Sequence, residues 1–182
     1  PLTSLSRRPF CTAVDLSLDY FTLFGLPCAF EIDVALLAER YRGLQQNVHP
    51  DRHVGATDHE QRLAMQYTTF VNEAYTTLKS PLSRAIYLLE LAGSRIEENP
   101  SLDPGFLMEQ IELREALEET NSEAAAGAFL KRIDGAIGHY EAEFVAALDD
   151  HPAQAEQAVY KLQFMHKLRA EAEAVEEGLL DY

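Results

Sequence analysis

Three consecutive residues, His49-Pro50-Asp51, form the first group in the chain able to do chemistry. Proline fixes one backbone angle and has no N–H, so it stiffens the turn that holds it. The flanking histidine and aspartate then present a donor or cation and an acceptor from a stiff loop. Such a loop can touch a partner with little loss of conformational freedom. Two other chemistries start from the same side chains. His49, His53 and His59 are candidate metal ligands, with His49 and His53 one helix turn apart. They straddle a proline, however, and no cysteine lies near them. A catalytic His49–Asp51 pair needs a nucleophile or a pocket, and the sequence points to neither.

The second group lies between Phe106 and Glu119. At about 100° per residue, Phe106, Leu113 and Leu117 share one side of a helix. Leu107, Met108 and Ile111 fall on roughly the opposite side, and Glu112, Glu115 and Glu119 run beside them at steps of 3 and 4. An apolar patch edged with carboxylates suits a partner-binding face. Core covered by a third element gives the same periodicity, so both readings stand at this point. Phe164 sits about 200° from Leu162, off the seam that Met165 continues, where an aromatic can either stand exposed and anchor an interface or pack against the linker.

Helical periodicity positions both groups, and no strand-like alternation persists. A short apolar segment, Tyr20 to Leu26, stops at Gly25 and Pro27. Asp33 caps the next helix, whose stripe is Val34, Leu37, Tyr41, Leu44 and Val48. Pro50 ends it. Thr57 and Glu60 have capping-box spacing ahead of a third helix with Leu63, Tyr67, Phe70, Ala74 and Leu78. The short connection makes these two an antiparallel hairpin with His49 to Ala56 as its loop. Ser80 and Pro81 open a fourth helix that ends at Gly93. Pro100 and Pro104 mark 94–103 as a linker. Asp103 then starts the fifth helix, Phe129 to Leu148 mark the sixth, and the seventh begins near Pro152. Three helices with short connections read as a three-helix bundle.

Composition narrows the function. With 182 residues, 30 acidic and 15 basic, the formal charge is −15, which argues against a nucleic-acid partner. No apolar run approaches the roughly 20 residues that cross a bilayer, so no membrane partner is expected. Cys11 and Cys28 make at most one disulfide, and a reducing compartment is the default. Residues 1–91 carry 10 acids and 8 bases, whereas 92–182 carry 20 acids and 7 bases. Unequal halves suggest surfaces with different partners, although on charge alone solvated acidic helix faces are the simpler explanation.

Asp19-Tyr20-Phe21, the capped helix, His49-Pro50-Asp51, and a longer helix with Asn72-Glu73-Ala74-Tyr75 together resemble a J-domain. Further along, Pro81 to Leu89, Phe106 to Glu115 and Lys161 to Arg169 extend the resemblance. Over residues 19–182 the chain is similar to the HscB family, the J-protein co-chaperones of iron–sulfur cluster assembly. The resemblance implies that His49, Pro50 and Asp51 activate the ATPase of a DnaK-type chaperone, HscA, with Arg40, Arg42 and Arg52 steering. It also implies that Leu107, Met108, Ile111, Glu112, Glu115, Glu119 and Phe164 bind the scaffold protein IscU. The acidic second half would then attract a basic patch on that scaffold.

The expected layout is an all-α chain: an extension at 1–18, a J-domain at 19–93, a linker at 94–103 and a client-binding bundle at 104–182. No catalytic residue, metal or cofactor is assigned. The expected setting is the bacterial cytoplasm, or the mitochondrial matrix if the serine- and arginine-bearing extension is a transit remnant. A J-protein with another client, and a small metal-dependent helical enzyme, are the alternatives.

Overall fold

The computed structural model describes residues 18–48, 57–97 and 100–180, with backbone alone at 47 and 48. His49, Pro50, Asp51, Arg52 and His53 lie outside the described residues, as do residues 1–17 of the extension. All regular structure among the described residues is helical: α1 (Tyr20–Phe24), α2 (Val34–Val48), α3 (Asp58–Lys79), α4 (Pro81–Leu91), α5 (Pro104–Glu118), α6 (Glu123–Ala147) and α7 (Pro152–Leu180). They form two compact units that divide between Lys79 and Ser80.

In the first unit, α1 is a single capped turn. The Asp19 carboxylate accepts from the Thr22 N–H at 2.9 Å. Gly25 ends the turn in the left-handed region at φ 58°, which glycine adopts without the Cβ penalty of other residues. Arg40 of α2 donates to the carbonyl of Gly25 at 2.6 Å and also to that of Phe24. The core holds Phe21, Phe24, Leu26, Phe30, Leu37, Val71, Ala74 and Leu78. Across the α2–α3 hairpin, the Tyr41 hydroxyl donates to the Asn72 side-chain oxygen at 2.9 Å. The Tyr41 and Tyr75 rings stack with centroids 4.0 Å apart. The expected capping box forms: Thr57 N–H donates to Glu60 Oε2 at 2.8 Å. Two stripe positions differ from expectation, since Val34 and Leu63 are exposed. Val34 is the first residue of α2. Leu63 lies in the opening turns of α3, which at 22 residues outruns the 15 of α2.

The second unit is built on the long α6–α7 pair. Phe129, Ile133, Ile137 and Tyr140 meet Leu162, Met165, Leu168 and Ala172 in one apolar cluster, onto which α5 lays Phe106 and Leu113. Arg169–Asp134 at 2.7 Å and Lys161–Glu143 at 3.2 Å tie α7 to α6 across the surface. The boundary expected after Gly93 is not where the units divide. The α4 helix packs on α7, burying Ala85 and Leu89, because its apolar stripe needs a partner and α7 offers one. Nor is 94–103 a free tether. Glu97 N–H donates to the Tyr160 hydroxyl at 2.7 Å, Gln157 reaches the Ser101 carbonyl at 3.0 Å, and Leu102 packs on the core cluster.

Candidate docking face on α5

The α5 helix is started by Asp103, whose carboxylate accepts from the Phe106 N–H at 3.2 Å, with Pro104 in the first turn. That proline lacks only a donor that no helical carbonyl would have used. The phase set here turns Phe106 and Leu113 onto the core. It leaves Leu107, Met108 and Ile111 with 45%, 59% and 52% of their surface in solvent. The periodicity is compatible with burial by a third element, but no such element among the described residues encloses these side chains. Glu112, Glu115 and Glu119 are exposed along the same helix.

Phe164 departs from the expectation of an exposed aromatic. It is half-buried against the core cluster. Its ring stands edge-on to Phe106 at 5.7 Å, and the Arg114 guanidinium lies 5.5 Å above it. The cause is α5 itself, which covers the side of α7 next to the main seam. Arg114 follows Leu107 and Ile111 at steps of 4 and 3, so Phe164 borders the apolar face rather than standing in it. Arg114 also meets Glu171 of α7 at 3.4 Å.

A polar contact under the helix escaped the sequence reading. The Tyr140 hydroxyl of α6 donates to Glu109 Oε2 at 2.7 Å. Burial pushes the phenol's pKa up, and the hydrogen bond to Glu109 and the charges of Glu109 and Glu143 push it further. The Lys161 ammonium sits 4.9 Å over the Tyr140 ring. Glu109 carried a signal: it lies three residues after Phe106 and four before Leu113, a carboxylate on an apolar stripe.

Of the residues assigned to steering, Arg40 is committed to the two carbonyls at the end of α1. Arg42 is exposed, with no ion-pair partner among the described residues. Among the described residues, no three or more His, Cys, Asp or Glu side chains gather as a group that could hold a metal ion. No helix there is long and apolar enough to cross a membrane.

Residues 102–173 match the family model described as the HSCB C-terminal oligomerisation domain. The chain is 45% identical over 178 residues to the co-chaperone protein HscB homolog of Azoarcus sp. strain BH72, covering 92% of this chain and 98% of that one. It is 41% identical to the chaperone HscB from Vibrio cholerae, with a TM-score of 0.82 over 89% of this chain and 99% of that one. Against the human co-chaperone protein HscB the TM-score is 0.86 at 31% identity, covering 96% and 92% respectively.

Proposed function

The chain belongs to the HscB co-chaperone family, and we propose that it delivers an iron–sulfur scaffold protein of the IscU type to a DnaK-type chaperone of the HscA type while stimulating that chaperone's ATPase. The observation that carries this reading is the outer face of α5. Leu107, Met108 and Ile111 stand about half in solvent on a helix whose opposite face is already core, so folding of the unit leaves much of their apolar surface uncovered. The carboxylates of Glu112, Glu115 and Glu119 beside them suit a partner with basic residues around an apolar centre.

The activating element in this reading is His49-Pro50-Asp51, with Arg42 and Arg52 assisting on the hairpin. Arg40 holds α1 in place as well as adding charge. ATP hydrolysis belongs to the chaperone, and the chain acts by binding one chaperone conformation better than another. The bacterial relatives support a cytoplasmic site of action.

Calorimetric titration of an IscU-type scaffold into the purified chain tests the docking half. Binding is expected to weaken strongly when Leu107, Met108 and Ile111 are all changed to Ala, with melting temperature retained. Full affinity in the triple variant contradicts the reading.

A further inference from the structure

The α5 helix poses a problem of its own. It carries three apolar side chains on each of two nearly opposite faces: Phe106, Leu113 and Leu117 inward, and Leu107, Met108 and Ile111 outward. Hydrophobic burial is non-directional. A helix with two such faces can satisfy its core after turning about its axis by nearly half a turn, and apolar area alone discriminates poorly between the two settings. Something directional must choose.

We propose that Glu109 and Tyr140 are the positioning pair that fixes the rotation of α5, and so decides which apolar face is offered to a partner. Glu109 lies on the inward stripe between Phe106 and Leu113, and it accepts the Tyr140 hydroxyl at 2.7 Å. Tyr140 is itself packed against the Phe106 ring, with centroids 5.9 Å apart, and has the Lys161 ammonium over its ring. Turning α5 strips Glu109 of this donor and leaves a buried phenol unsatisfied, a heavy penalty in a low-dielectric interior. A single buried polar contact can set register in this way even where an apolar pair would be more stable. Arg114, resting on Phe164 and Glu171, favours the same setting from the outer edge.

The affinity arm of the test rests on the scaffold-docking reading; the claim about rotation does not, and the chain's three methionines report it without any partner. Met65 and Met108 are 73% and 59% exposed, while Met165 is fully buried. Peroxide oxidation followed by peptide mass spectrometry therefore gives Met108 accessibility, with Met65 as internal reference and Met165 as the folded-state control. The variant is Glu109→Leu with Tyr140→Phe, which replaces the polar pair by an apolar one.

The expected result is a melting temperature unchanged or raised, as such replacements often give, together with slower oxidation of Met108 relative to Met65. A half-populated alternative halves that ratio and about doubles the apparent Kd for an IscU-type scaffold, because both follow the competent fraction. Glu109→Gln keeps an acceptor for the phenol and is expected to match wild type in both. If the double variant fails to fold, Tyr140→Phe alone is read by the same ratio. An unchanged Met108-to-Met65 ratio in the folded variant overturns the proposal. Wild-type protein that ignores the scaffold while the ratio falls contradicts the docking reading and leaves the positioning role intact.

Discussion

Ile111→Ala and Leu113→Ala remove similar side chains two residues apart on one helix, yet they are expected to fail in different assays. Ile111 is 52% exposed and Leu113 is 1% exposed. Fully burying a large aliphatic side chain stabilises by about 1.5–3 kcal/mol. Roughly half of the Ile111 side chain remains to be buried by a partner, so its share of binding is about 1 kcal/mol, close to a fivefold loss of affinity on truncation. Its loss from the free protein leaves no enclosed cavity, and stability is expected to change by less than about 1 kcal/mol. Leu113 is the reverse: truncation is expected to cost about 2–5 kcal/mol of folding free energy. Urea unfolding and calorimetric titration of an IscU-type scaffold, run on both variants, read the two quantities separately. The reasoning is refuted if Ile111→Ala costs as much folding free energy as Leu113→Ala, or if it leaves scaffold affinity untouched.

Gly25→Ala forces a side chain into the left-handed region and brings its Cβ to 2.5 Å from the Arg40 guanidinium; a loss of about 1–2 kcal/mol is expected, checked by urea unfolding, and Arg40→Ala should lower stability by disturbing the same α1 end. His166 Nε2 is buried without a hydrogen-bond partner among the described residues. Burial first, and then the Arg169 charge, lower the imidazole's pKa, against a smaller opposing pull from Asp134. The unfolded chain therefore takes the proton more readily, so stability is complete above the unfolded value near 6.5 and falls as pH drops through the lower folded value. Urea midpoints on both sides of that pH should show a smaller fall for His166→Gln than for wild type. In the loop, His49→Gln and Asp51→Asn are expected to abolish chaperone ATPase stimulation while leaving helical circular dichroism and melting temperature nearly unchanged.

Helix positions were legible because caps and apolar spacing are local. Asp33, Asp103, Thr57–Glu60, Ser80–Pro81 and Gly93 act where their sequence neighbours place them. The apolar outer face of α5 was legible for the same reason, since angular position on a helix follows from sequence spacing alone. What the spacing left open was whether another element covers that face, a question that only the assembled unit answers. The assignment of α4 failed because an apolar stripe shows that a helix is buried and not against what; the partner, α7, lies some 70 residues further along the chain. Phe164 was misplaced for a related reason. One seam was assigned to α7, and two neighbours, α6 and α5, take two. The Glu109–Tyr140 contact joins residues 31 apart, beyond the reach of periodicity, although a carboxylate on an apolar stripe marked one end of it.

The most direct test of a two-surface co-chaperone is the steady-state ATPase of an HscA-type chaperone, measured with the chain alone and with chain plus an IscU-type scaffold. The account predicts stimulation by the chain, a further rise on adding scaffold, and loss of that further rise alone when Leu107, Met108 and Ile111 are all alanine. No stimulation by the wild-type chain, or a scaffold-dependent rise that survives the triple substitution, contradicts it.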